Sequence, residues 1–135
     1  MISLDKNTGD LNVDGYVFPK QTEFILKDEK YVYTSIDKKA SSTDNTPCEI
    51  MASYKNGKLI SIYINIEHEF IKQNYKPPAD PNLNDYLTPY VNYCEMVTEN
   101  LLKTITTSKL RHNWGKLSII TDPRDIFTFI QIKYY

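Results

Sequence analysis

A chain of 135 residues, 41% of them hydrophobic, can bury about two-thirds of its unfolded surface, which is enough for a core without disulfide or metal staples. One domain over residues 1–135 is therefore expected. The net charge of −1 is uneven: residues 1–100 carry 10 Lys/Arg against 15 Asp/Glu, and residues 101–135 carry 6 against 2, a profile that argues against a general nucleic-acid binder, which needs a basic field.

No run approaches the ~18 apolar residues needed to span a bilayer, and residues 1–10 have no apolar signal core, so a cytoplasmic protein with no membrane partner is expected. Ile2, Ser3 and Leu4 face Leu11, Asn12 and Val13 across Asn7-Thr8-Gly9-Asp10, whose Asn and Gly tolerate positive φ; this predicts a first hairpin, closed by Pro19. Thr22 can cap a short helix over about 22–29, with Phe24, Ile25 and Leu26 as its apolar side. Residues 31–36 have β composition, whereas 37–47, DKKASSTDNTP, show no apolar period and are expected to be a mobile loop.

Lys55-Asn56-Gly57-Lys58 between 48–54 and 59–67 is a hairpin signal, because Asn-Gly suits a type I′ turn. Alternation predicts Ile60, Ile62, Ile64 and Ile66 on one buried face, each contributing about 1.5–3 kcal/mol before entropy is charged. The prolines of 75–80, YKPPAD, exclude helix interior and central strand. Thr88-Pro89 then opens a long helix over about 88–107. Its inner face carries Tyr90, Cys94, Val97, Leu101 and Ile105, widened by Val91 and Leu102, and its outer side Asn92, Glu95, Glu99 and Lys103. A start near 80–81 would place a kink at Pro89.

Residues 113–135 read as a last hairpin, with runs 117–121 and 126–135 flanking Asp122-Pro123-Arg124-Asp125. Its second strand puts Ile126, Ile130, Ile132 and Tyr134 on one face and Phe127, Phe129, Gln131, Lys133 and Tyr135 on the other, a pattern apolar enough on both sides for a central strand. The predicted order β-β-α-β-β-β-α-β-β gives an α+β fold, an antiparallel sheet of hairpins carrying the long helix on one face.

Residues with chemistry are few. Glu67-His68-Glu69 ends the isoleucine strand, where Glu67 and Glu69 would share a face opposite His68, and no H-E-x-x-H spacing brings a second imidazole near; a solvated strand end is the simpler reading. His112 is the other imidazole, and no G-x-S-x-G elbow or glycine-rich phosphate cradle accompanies it. Asp122, Arg124 and Asp125 read as turn chemistry before active-site chemistry. Cys48 and Cys94 fit buried free thiols, and no metal or cofactor is expected. Eleven tyrosines suit either strands or an interface.

Two stretches carry a resemblance. Asn7-Thr8-Gly9-Asp10 followed by Leu11-Asn12-Val13-Asp14-Gly15, and the Trp114-Gly115 pair, strand, Asp-Pro-Arg turn and final Ile130-x-Ile132-x-Tyr134 strand, resemble the opening and closing segments of small cytoplasmic bacterial immunity proteins encoded beside polymorphic or contact-dependent growth inhibition toxins. The resemblance implies a non-enzymatic protein whose partner is a cognate toxin C-terminal domain, a nuclease in many such systems, blocked at its active site or substrate path. If that partner has a basic cleft, the acids Glu67, Glu69, Glu95 and Glu99, with Tyr63 as a nearby aromatic, are the expected contact residues, complementary charge setting encounter rate and register. The alternatives are an adaptor module unrelated to toxins, and a small enzyme using Glu67, Glu69 or His112, which would need those groups to converge.

Overall fold

Asn56 and Gly57, at φ 51° and 78°, supply the pair of positive dihedrals that a type I′ turn requires, and through them the strands β5 (Pro47–Lys55) and β6 (Lys58–Ile66) fold back on each other. The structure is a computed structural model describing residues 1–23, 32–79, 87–106, 109–122, 124 and 127–135. The β5–β6 ladder shifts register between Ser53 and Tyr54: Ser53 pairs with Ser61 and Tyr54 with Leu59, so Ile60 is the extra residue of a bulge. The bulge reverses the expected alternation at this end. Leu59 is buried beside Ile62, Ile64 and Ile66, while Ile60 is only half-buried, so the isoleucine face loses one member and gains a leucine.

The hairpin is the middle of a five-stranded antiparallel sheet in the order β4-β5-β6-β8-β7, with β4 at Tyr33–Ser41, β7 at Gly115–Asp122 and β8 at Phe127–Tyr134. β8 lies between β6 and β7, an interior position that agrees with its two apolar faces. The segment 37–47 is not the expected mobile loop. Asp37, Lys38, Lys39, Ala40 and Ser41 continue β4, paired in register with Met51 through Pro47. Only 42–46 turns, with Ser42 N–H donating to Thr46 O at 2.9 Å and Asn45 at φ 63°. An edge strand exposes polar side chains and lysines to water, so its sequence carries no apolar alternation.

The inner face of this sheet is covered by two other units, making the fold α+β. One is a small antiparallel sheet, β1 (Ile2–Leu4), β2 (Leu11–Val13) and β3 (Tyr16–Val17). The other is α2 (Leu87–Ile105), which packs on β8, β7 and β1 and buries Cys94, Thr98, Leu101 and Ile105. Thr98 sits inside because its hydroxyl donates to the Cys94 carbonyl at 2.7 Å, which satisfies the buried oxygen. One contiguous core joins Ile2, Leu11 and Phe18 to Tyr54, Ile64, Leu101 and Ile132.

The short helix of the fold is α1, His68–Asn74, where sequence alternation extends the strand through Glu67 and ends it in solvated charge. Ile71 is buried and Phe70 packs against the core, one apolar side over seven residues, and Pro77 and Pro78 prevent continuation. The helix expected over about 22–29 falls mainly on residues outside the described ones, as does any start of α2 near residue 80. No helix among the described residues is long and apolar enough to cross a membrane.

The two segments that carry the sequence resemblance touch each other. Trp114 donates from Nε1 to the Lys6 carbonyl at 2.9 Å, and Tyr134 donates from its hydroxyl to the Gly9 carbonyl at 2.7 Å. The indole lies over Gly9, which is at φ 77° and has no space for a side chain: a Cβ there would stand 2.4 Å from the Trp114 ring. His112 stacks on the indole, ring centroids 4.7 Å apart. Gly115 is equally constrained, since a Cβ would meet the Lys133 carbonyl oxygen at 2.1 Å.

Candidate functional site

Because side chains alternate along each strand, the residues not facing α2 and the small sheet form an outer face that no element among those described covers. The register aligns them in rows: Asp37, Met51, Tyr63, Gln131 and Ser118 across the middle, and Lys39, Glu49 and Asn65 beside Phe129 and Ile120. At the next position Phe127 pairs with Asp122. The sheet's twist opens this face into a groove of about 950 Å³ between the β4 edge and the aromatic side chains of β6 and β8.

Three aromatic residues form its floor. Tyr63 stands edge-on to Phe129, centroids 5.3 Å apart at 76°, and Phe127 lies tilted on Phe129 at 5.5 Å. Met51 is 40% exposed in the middle of β5, unusual for a large apolar side chain away from a strand end or loop tip, and Phe127, the first residue of β8, is 41% exposed. Along the rim Lys39 and Glu49 face each other at 4.0 Å, both largely exposed. Lys38 turns the other way, with its Nζ 4.2 Å over the Tyr16 ring on the inner side. A surface that joins aromatic area with a few rim charges has the composition of a protein-binding patch.

The sequence-predicted site residues are dispersed. Tyr63 lies in the groove. Glu67 follows the last residue of β6, its N–H donating to the Pro47 carbonyl at 3.0 Å, and Glu69 is exposed in the first turn of α1. They do not share a strand face: Glu69 lies on a helix, where a spacing of two turns side chains about 200° apart. Glu95 is half-buried against β7 and accepts from the Thr121 hydroxyl at 3.1 Å, so it is not on the solvent side of α2; Glu99, one turn later, is exposed. Asp37, Glu49, Met51, Phe127 and Phe129 escaped sequence reasoning. The available signal was the two-sided apolar pattern of β8, which marks a central strand and equally an aromatic outer face.

The residues of an enzymatic reading do not converge. Glu67 lies just past the end of β6, near the start of β8, while His112 precedes Gly115, which pairs with Tyr134 at the far end of β8. A strand length of roughly 25 Å separates the two ends, at about 3.3 Å per residue. Among the described residues no group of three or more His, Cys, Asp or Glu could hold a metal. Both cysteines are free and buried; burial, then the nearby negative charges of Asp44 and Glu67, push the Cys48 thiol up to about 12, so at neutral pH it is not a nucleophile. A second, smaller cleft of about 220 Å³ lies beside Trp114 and Tyr134 and includes Lys20, whose ammonium sits 4.0 Å over the Tyr134 ring and 3.4 Å from Asp10. Burial lowers the Lys20 pKa and the Asp10 carboxylate opposes that shift.

No protein-family model and no curated protein sequence matches the chain. Among solved structures, it is similar to a chain of "Rhs1-CT in complex with cognate immunity protein RhsI1", with 17% sequence identity, a TM-score of 0.55, and coverage of 99% of this chain and 87% of that chain. At that identity the likeness is one of fold, and it extends over both sheets and both helices described above.

Proposed function

We propose that this chain is an immunity protein, which binds a toxin C-terminal domain made by the same bacterial strain and neutralises it by covering its active site or substrate path. The observation that carries the reading is the fold likeness over 99% of the chain to a chain from a toxin–immunity complex. The contact between the Gly9 turn and the Trp114–Tyr134 segment adds to it, because the residues that resemble immunity proteins prove to be one interlocked unit. Inhibition by steric cover requires no catalytic residue in the inhibitor, and the separation of Glu67 from His112 by the length of the sheet disfavours the enzymatic alternative.

The proposal extends to a cytoplasmic site of action, where a toxin delivered by contact-dependent inhibition would meet it, and to a nuclease as target. The exposed acids Glu69 and Glu99, with the half-buried Glu67 and Glu95, would then steer the encounter with a basic cleft. The test is to co-express the chain with the toxin domain encoded immediately upstream of its gene. Growth should be restored and the two proteins should co-purify at equal stoichiometry. Persistent growth arrest in cells that hold the soluble chain, together with no complex on mixing the purified proteins, overturns the reading.

A further inference from the structure

We infer that the groove on the outer sheet face is the docking surface for the toxin domain, and that it receives an arginine-bearing segment whose guanidinium stacks on the aromatic floor and pairs with the rim carboxylates. This rests on the immunity reading for the identity of the partner; the chemistry of the groove stands on its own residues.

The first argument is the uncovered apolar area. Phe129 is in contact with Tyr63 at 5.3 Å and with Phe127 at 5.5 Å, and some two-fifths of Met51, in the middle of β5, and of Phe127, at the start of β8, remain exposed. The second is charge. In the two rows that carry Tyr63 and Phe129, Asp37 and Glu49 on the β4 side point outward with the cation Lys39, which already lies 4.0 Å from Glu49; Asp122 lies beyond Phe127, where it accepts from the Arg124 N–H. Lys38 is turned to the Tyr16 ring on the opposite face, and the outward lysines Lys133 and Lys116 stand in the next row along, level with Ser61 and Ser53.

Aromatic rings flanked by carboxylates select a planar, delocalised cation: a guanidinium stacks on a ring face and still donates in a fork to a carboxylate, which an ammonium or an aliphatic side chain cannot do. The volume, about 950 Å³, exceeds what one side chain fills and suits a loop or helix turn of a protein.

The test has two arms. In the first, isotope-labelled protein is titrated with acetylated tetra-arginine peptide and, separately, with tetra-lysine. The Met51 methyl and the ring signals of Tyr63, Phe127 and Phe129 should shift, more strongly for arginine, and the Asp37→Asn/Glu49→Gln double variant should remove the effect. Shifts confined to other faces, equal responses to both peptides, or a groove filled by a second copy in sedimentation overturn the inference. In the second arm, Phe127→Ala, Phe129→Ala and Asp37→Asn/Glu49→Gln should each weaken binding of the upstream-encoded toxin domain by about tenfold or more. Met96→Ala, 49% exposed on α2, should not. Undiminished binding by all groove variants overturns the docking surface and leaves the immunity reading intact. If the wild-type chain does not bind that toxin domain, the immunity reading falls and the peptide titration decides the groove.

Discussion

Replacing Gly9 by Ala tests the contact that ties the small sheet to the large one, and Gly15 provides an internal control. Both glycines have left-handed dihedrals, φ 77° and 86°, so alanine at either position incurs the same kind of backbone penalty, about 1–2 kcal/mol. They differ in surroundings. A Cβ at Gly15 meets nothing within 4 Å, whereas at Gly9 it enters the Trp114 ring at 2.4 Å. The ring is held on its edge by the Lys6 carbonyl and is stacked with His112, so the clash must be relieved by moving the indole or the turn. Overpacking of that kind costs about 1–3 kcal/mol, and loss of the Nε1 hydrogen bond about 1 more. Gly9→Ala should therefore destabilise by about 3–6 kcal/mol in total and Gly15→Ala by about 1–2. For a chain of this size that corresponds to melting temperatures lower by about 12–24 °C and 4–8 °C respectively. Circular dichroism melts and urea titrations read both. In the Gly9→Ala background, Trp114→Ala should cost less than it does alone, since the clashing ring is then gone. Equal losses at the two glycines, or full additivity with Trp114→Ala, would show that the indole does not occupy the space above Gly9.

Leu59→Ala should cost about 2–4 kcal/mol and Ile60→Ala about 1 or less, because the bulge buries the leucine and leaves the isoleucine half-exposed; the reverse ranking in urea midpoints would remove the bulge. Deleting residues 130–135 takes buried Ile130 and Ile132 from the middle of the sheet and bares the ladder groups of β6 and β7, so cooperative unfolding should be lost, and a truncated protein with the original melting curve would refute the strand order. Alkaline pH should weaken the fold. Burial first, then neighbouring charge, raises Cys48 from 9.0 to about 12, and burial first, then Tyr16, raises Tyr54 from 10.0 to about 12. Each acid keeps its proton longer in the folded state, so the stability it contributes is complete below the unfolded value and is lost as pH climbs from about 9 toward 12. Urea midpoints that stay level from pH 8 to 11, or a Cys48→Ala variant with an unchanged slope, would contradict this.

The parts of the fold legible in the sequence are those whose signal is local. Asn56-Gly57 fixes its own turn, and the spacing of Cys94, Leu101 and Ile105 defines the buried stripe of α2 without reference to any neighbour. Where the outcome depends on a distant strand, the sequence is silent. The residues 37–41 are strand because β5 offers them a ladder, and their own composition, three charged residues in five, looks like a loop. The exchange of Leu59 for Ile60 follows from one unpaired residue that leaves no mark on an alternating pattern. The same applies to the candidate site: Met51, Tyr63 and Phe129 come from three strands, and only the pairing of β6 with β8 sets them side by side. Tyr63 alone was within reach of sequence reasoning, as an aromatic on the polar side of an isoleucine strand. Glu95 shows the opposite failure, since helical periodicity places it outside and a threonine on β7 draws it in.

The bond from Tyr134 to Gly9 spans 125 positions, and this separation sets a schedule on the ribosome. Synthesis proceeds at about 5–20 residues per second, so the Gly9 turn emerges many seconds before the indole and phenol that close over it. During that interval the β1–β2–β3 sheet, with strands of only two and three residues, lacks the side chains that close over it and is too small for a stable structure of its own. The contact that closes over the Gly9 turn is therefore among the last to form during synthesis. Translation products that stop short of Tyr134 lack this closure altogether.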